Sequence, residues 1–250
     1  MNIFKAISTK INDLRKKKAR VSKQLALDIK LNEDATLDNF CALPSLKEVL
    51  AVIEEKGNVA AQHQYLWLHG ASCSGRSHLL QGACERVTGR AQFLPISQLI
   101  SYSAHDVLHD LSSLELIAMD DIHLIASNSD WEKAVFNTFN AAHSSGCRII
   151  FSANQPASAI DFNLSDLRSR LSWSVSYHLP GLDDSDKAKV LSFRASRLGL
   201  ELTHDVANYI VHRADRNMSN LVELLDLLDT ASLMNNRSLT IPFVKEILDW

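Results

Sequence analysis

The stretch Gly70-Ala71-Ser72-Cys73-Ser74-Gly75-Arg76-Ser77 constrains the fold more than any other part of this chain. It fits the spacing G-x-x-x-x-G-K-[ST], with Arg76 standing where that pattern has lysine. Glycines at its two ends let backbone N–H groups face inward on a hollow that suits phosphate oxygens. A helix starting at the end of the loop adds its positive terminus to the same place. Tyr65-Leu66-Trp67-Leu68 just before the loop is a buried-strand run, and residues 78–87 after it read as a helix. Strand, loop, helix is the context that nucleotide binding needs. Gly70, Ser74, Gly75, Arg76, Ser77 and His78 are the candidate contacts, with the Ser77 hydroxyl placed to ligate Mg2+. Lysine is a compact point charge and arginine a bulkier planar fork. Phosphate binding survives that exchange better than accurate γ-phosphate placement, so the loop predicts a binder that turns over slowly.

A second run, Leu116-Ile117-Ala118-Met119, ends in Asp120-Asp121. One carboxylate at the C-terminal edge of a buried strand holds the hydration shell of Mg2+, and a second orients an attacking water. Residues 114–119 and 147–153 read as strands, and residues 46–56 and 131–143 as helices. Strands alternating with helices predict a parallel α/β sheet with crossover helices. Beyond Gly181 the pattern changes. Residues 187–198, 205–213, 218–234 and 242–250 all have helical periodicity with no strand between them, which predicts a small all-α unit.

Charge is unevenly distributed. Residues 1–23 hold eight bases and one acid, a charge of +7, so the overall −3 leaves −10 for residues 24–250. An acidic body is a poor match to a phosphate backbone, which speaks against tight DNA binding by the globular part. The basic tail carries Ile3, Phe4, Ile7, Ile11 and Leu14 at helical spacing. It reads as a solvated, frayed terminus, with an amphipathic helix on an anionic surface as the alternative. At 46% hydrophobic residues a disordered chain is excluded. Four cysteines without a CxxC pair indicate neither a zinc knuckle nor a disulfide scaffold, and fit a reducing compartment. No apolar run approaches the ~20 residues of a membrane span.

With both acidic and glycine motifs in place, the chain resembles the AAA+ superfamily, and within it the DnaA/Hda family. Ala35-Thr36-Leu37-Asp38-Asn39-Phe40 is similar to the motif that opens the DnaA-type core. Gly75-Arg76-Ser77-His78-Leu79-Leu80 and the ending Leu239-Thr240-Ile241-Pro242-Phe243-Val244-Lys245-Glu246-Ile247-Leu248 resemble the Hda branch. The resemblance spans residues 24–250. It implies an AAA+ phosphate-loop domain over 31–180, with a parallel sheet flanked by helices, and a small helical lid over 181–250. It also implies bound ADP or ATP and the cytoplasm of a bacterium.

Three more sites come from the resemblance. Ser152-Ala153-Asn154-Gln155-Pro156 is similar to the sensor-1 region, with Asn154 reaching toward a γ-phosphate. Asp166-Leu167-Arg168-Ser169-Arg170-Leu171-Ser172-Trp173 resembles the box that carries an arginine finger, which assigns Arg170 a catalytic role in trans and makes Arg168 the weaker candidate. Gln24-Leu25-Ala26-Leu27-Asp28-Ile29 resembles the peptide that docks on the DNA polymerase III sliding clamp (its β subunit). Gln24 would be hydrogen-bonded there, with Leu25, Leu27 and Ile29 in an apolar groove, so residues 24–30 form the docking segment behind the 1–23 tail.

The resemblance implies a negative regulator of replication initiation. It would sit on the clamp, meet DNA only through the loaded clamp, and lend Arg170 to ATP held by DnaA, leaving inactive ADP-DnaA. Self-association is a further implication, since an outward finger also meets a copy of its own chain. The alternative is an autonomous AAA+ ATPase acting as a DnaA-like initiator or helicase loader. Arg76 speaks against it, as does Ser219, which occupies the position of the clade's sensor-2 arginine; Arg216 lies three residues earlier. The similarity to DnaA ends with the lid, and no residues follow it for a helix-turn-helix domain.

Overall fold

The computed structural model describes residues 31–32, 34–55, 63–87, 90–215 and 217–250. The basic tail, the segment expected to dock on the clamp with Gln24, Leu25, Leu27 and Ile29, and Arg216 lie outside the described residues. Five strands, β1 Tyr65–Gly70, β2 Ala91–Pro95, β3 Leu116–Asp120, β4 Arg148–Ala153 and β5 Val175–Leu179, form one parallel sheet in the order β2-β3-β4-β1-β5. Leu66 pairs with Ile150 on one side and with Val175 on the other, which seats β1 between β4 and β5. The three inner strands are apolar almost throughout because helices cover both faces.

Around the sheet lie α1 Lys47–Ile53, α2 Arg76–Arg86, α3 Ile96–Leu99, α4 Ala104–Val107, α5 Ser129–Ser145 and α6 Ser165–Leu171. One core joins α1, α2 and the sheet through Leu50, Leu66, Leu68, Leu79, Leu80 and Ile150. Each such fully buried side chain stabilises by about 1.5–3 kcal/mol. Two strands, β2 and β5, were not expected. Both are sheet edges; AQFLP is partly buried and VSYHL alternates with exposed positions, and neither has the continuous apolar run of the inner strands.

The helical part consists of α7 Asp184–Arg197, α8 His204–Arg213, α9 Met218–Asn235 and α10 Ile241–Leu248. Their starts are written in side chains: Asp183, Asn217 and Thr240 each accept a backbone N–H of the first turn. Leu191, Ile210, Leu221, Leu228 and Phe243 make a second core of their own. Among the described residues no helix is long and apolar enough to cross a membrane.

Two buried ionic side chains tie the sheet to its surroundings. Arg148 at the start of β4 donates to the carbonyls of Val52 (2.7 Å) and Ile53 (3.4 Å), capping the end of α1. Glu132 on α5, 1% exposed, accepts from the N–H groups of Ser127 (2.9 Å), Asn163 (3.1 Å) and Leu164 (2.7 Å). The last two residues lead directly into α6, so this carboxylate sets where the Arg168–Arg170 helix begins. Glu132→Gln presents an amide N–H to a backbone N–H and removes the charge. It should lower stability by about 2–4 kcal/mol in urea unfolding; an unchanged midpoint would mean the loop is held by other contacts.

Candidate functional site

The end of β1 delivers Gly70 to the loop, and α2 begins at Arg76, so the free N–H groups of its first turn open onto the loop's hollow. Gly75 has φ +90°, and a Cβ there would lie 2.8 Å from the Phe40 ring, so both conformation and space call for glycine. Ser74 is 3% exposed, and its hydroxyl has no hydrogen-bond partner among the described residues. A buried hydroxyl left so invites a ligand oxygen.

Arg76 differs from expectation. Its guanidinium donates to the carbonyl oxygens of Gly70 (2.9 Å) and Ala153 and to the Asp121 carboxylate (3.3 Å). The fork that the sequence places at the phosphates joins the C-terminal ends of β1 and β4 to the residue after β3. A planar guanidinium carries its donors on separate nitrogens, so Nη1 meets the two carbonyls and Nη2 the carboxylate, whereas a lysine concentrates its donors on one nitrogen.

Ser77 and Asp120 are brought together. The Asp120 carboxylate accepts from both Ser77 and Ser152, and the Ser152 hydroxyl in turn accepts from the Asp121 N–H (2.9 Å). Burial pushes the Asp120 pKa up, against the pull of the two hydroxyls. Among the described residues no three His, Cys, Asp or Glu side chains group to hold a metal alone. A hydroxyl beside a carboxylate is the oxygen set that Mg2+ takes when nucleotide phosphates complete its shell. His123, 3.9 Å from Asp121, has its pKa lowered chiefly by burial. Asn154 is exposed, one residue beyond β4.

A cavity of about 130 Å³ adjoins the loop, walled by Phe40, Leu46, Gly75, Val190, Phe193 and Met218 among others. A neighbouring cavity of about 280 Å³ shares Cys73, Leu182 and Met218 with it and adds Ser72, Lys187 and Asn217. Apolar walls on one side and loop amides with polar groups on the other match a base and its phosphates. His78 also borders the first cavity, but its ring nitrogen bonds the Thr36 carbonyl (2.8 Å) and its edge meets Phe40. Burial lowers its pKa, so it is a neutral strut for the 35–40 segment. The helical part reaches over the loop: Asn217 accepts from the Cys73 thiol (3.4 Å) and caps α9 at Ser219, which is exposed. Arg194 pairs with Asp34 (2.8 Å), and Arg197 donates to Asn39 (3.1 Å).

Arg170 stands apart from all of this. Its guanidinium lies 4.4 Å over the ring of Trp173, which is 46% exposed and edges onto Phe139 and His143. It is near enough to Tyr65, at the start of β1, to act on that phenol's charge. The phosphate loop leaves the other end of β1, five residues away, or roughly 16 Å at ~3.3 Å per residue. Arg168 faces a different cleft of about 460 Å³, with Trp67, Asp161, Ser172 and Ser176.

Ser152 as a bridge, Asn217 and Lys187 in the cavity wall, and Glu132 behind α6 had no sequence signal beyond ordinary polar residues. Asp120 supplies a pH test. A carboxyl held above its ordinary pKa means the folded state binds the proton more tightly than the unfolded one. Its burial therefore lowers stability as pH rises above that range. Asp120→Asn should raise the thermal stability of the free protein by about 1 kcal/mol at about pH 7, a gain that fades toward about pH 4, while weakening Mg2+-dependent nucleotide binding. A pH-independent loss of stability would contradict this.

Residues 31–178 match the family of bacterial DnaA ATPase domains, and residues 184–248 match the Hda lid domain. A Haemophilus influenzae protein is 38% identical over 233 residues, 92% of this chain and 100% of its own length. Domain III of the Thermotoga maritima initiator DnaA superposes with a TM-score of 0.69 at 19% identity, covering 88% of this chain and 98% of that one. AMPPCP-bound DnaA from Aquifex aeolicus gives 0.64 at 19% identity, covering 80% and 66%. The Thermotoga maritima RuvB branch-migration motor gives 0.62 at 16% identity, covering 86% and 71%. At these identities the structural likeness speaks for the AAA+ fold, with the phosphate loop on a parallel sheet and a helical lid; the matched sequence families say more, and the chain belongs to the DnaA/Hda family of AAA+ proteins.

Proposed function

We propose that this chain is a negative regulator of replication initiation that holds an adenine nucleotide, docks on the sliding clamp through residues 24–30, and accelerates hydrolysis of ATP bound to DnaA. The carrying observation is the placement of Arg170. Its guanidinium rests on an exposed tryptophan near the end of β1 opposite its own phosphate loop. A cation there acts on a nucleotide held by another molecule. Cation–π contact with Trp173, worth about 0.5–1 kcal/mol at an exposed site, holds the guanidinium, and among the described residues no acidic side chain is paired with it. In the transition state of phosphoryl transfer it would stabilise charge growing on the transferred group.

The bound nucleotide has a structural role in this reading. The base fits between Phe40, Val190 and Phe193, the phosphates face the loop, and the lid closes over both. Mg2+, where present, falls to Ser77 and Asp120. Asn154, one residue beyond β4, would serve on the γ-phosphate side. ADP suits the site better than ATP, because Arg76 is committed to Gly70, Ala153 and Asp121 and does not free a charge for a third phosphate. The same contacts count against the second reading, an autonomous ATPase serving as initiator or helicase loader. The proposed setting is bacterial cytoplasm, with DNA reached through the loaded clamp.

The deciding experiment follows ATP on DnaA with and without this protein and DNA-loaded clamp. Arg170→Ala should keep nucleotide and clamp binding and lose 10³-fold or more of the stimulation, roughly 4 kcal/mol of barrier at ~1.4 kcal/mol per tenfold. Arg168→Ala should be milder. Full stimulation by Arg170→Ala would remove the mechanism. The docking segment is tested separately. Gln24→Ala with Leu25→Ala should abolish clamp binding at unchanged thermal stability, whereas deletion of residues 1–20 should leave it largely intact. Unaltered clamp affinity in the double variant would dismiss the segment.

A further inference from the structure

Arg76 leaves the phosphate side of the cleft in need of a cation. Its guanidinium is bound to two carbonyls and a carboxylate. Ser219, where the lid of this clade offers an arginine, brings a hydroxyl. A nucleoside diphosphate carries concentrated negative charge, and backbone amides alone leave much of it uncompensated.

We propose that Lys187, on the first helix of the lid, is the phosphate-binding cation of this protein and holds the diphosphate of the bound nucleotide against the loop. The inference rests on the nucleotide reading above. Among the described residues that wall the 280 Å³ cavity, Lys187 is the cation. Ser72 and Cys73 of the loop face it there, with Asn217 and Met218 from the start of α9. Its side chain is 14% exposed, so the four-carbon stem is packed and the ammonium is delivered to a limited volume. The pairing with Asp184 at 3.5 Å is longer than a charge-assisted hydrogen bond of ~2.7–2.9 Å, so a phosphate oxygen can compete for the ammonium.

Two further observations support this cation over its neighbours. Arg194 pairs with Asp34 and Asp226, Arg197 donates to Asn39, and Lys189 pairs with Asp186 at 3.0 Å. The unpartnered, buried hydroxyl of Ser74 lies in the same loop, one residue from Cys73. Because Lys187 belongs to α7 and Cys73 to the loop, a phosphate held between them bridges the lid and the sheet domain. Nucleotide binding then closes the lid by charge from its first helix.

The test is calorimetric titration of the full-length protein with ADP and, separately, with adenosine, which lacks phosphates. The parent should bind ADP more tightly than adenosine. Lys187→Gln should raise the ADP dissociation constant about tenfold, or ~1.4 kcal/mol, and leave adenosine affinity and the melting point of the free protein unchanged. Lys187→Glu should weaken ADP further, and Lys187→Arg should stay within about threefold of the parent, since it keeps the charge. Unchanged ADP affinity in Lys187→Gln would overturn the assignment, as would equal weakening of ADP and adenosine, which marks a packing role. A parent protein that binds neither compound would overturn the nucleotide reading, and this inference with it.

Discussion

The site is organised around one guanidinium. The order β3-β4-β1 puts three strand ends side by side, each closing in polar groups beside the glycine-rich loop. Left alone, the carbonyls of Gly70 and Ala153 and the carboxylate of Asp121 would repel one another. Arg76 neutralises that edge with a planar fork whose donors meet all three. The loop and the acidic strand end are thereby locked in one geometry before any nucleotide arrives. This preorganisation has a consequence for charge. The residue that a phosphate loop uses to reach its ligand is bound into the protein, which is the reason a compensating cation is proposed on another element.

Ser152 carries the same frame one step further. Its hydroxyl donates to Asp120 and accepts from the Asp121 backbone, so a residue of β4 holds the acid at the end of β3. Burial still works against the Asp120 charge and raises its pKa. Ionising a carboxyl in such a place costs stability, a feature more common at ligand sites than elsewhere. The Ser77 hydroxyl against it completes a pair of oxygen donors aimed at the loop.

Much of this was legible in the sequence, for identifiable reasons. Strands β1, β3 and β4 are buried on both faces and show as apolar runs. The helical lid shows because its helices have periodic apolar faces and three of the four have a side-chain cap at the start. Edge strands β2 and β5 were missed, because half-exposed segments such as VSYHL have no run to read. At the site, spacing alone located the loop and the Asp120-Asp121 pair. What it did not locate were contacts between distant segments. His78 bonds Thr36 across 42 residues, and Glu132 bonds Leu164 across 32. The identity of Arg76 was plain, but which oxygens its fork would find depends on the strand order.

Two arginines with opposite fates mark the ends of one strand. At the C-terminal end of β1, Arg76 is enclosed by three oxygens and is 11% exposed. Toward the N-terminal end, Arg170 lies on an aromatic ring and remains partly open to solvent. A guanidinium saturated by carbonyls and a carboxylate has little field left for a ligand, whereas one on a ring keeps most of its charge available. For a protein proposed to work on another molecule's nucleotide, this division has a physical logic. Under that proposal, slow turnover at its own loop would keep the nucleotide in place as a structural element beneath the lid. The catalytic charge is then displayed where its own nucleotide cannot use it. Restoring a free cation to the loop would trade the first property for hydrolysis in cis, and the state that presents Arg170 would become as short-lived as the nucleotide that maintains it.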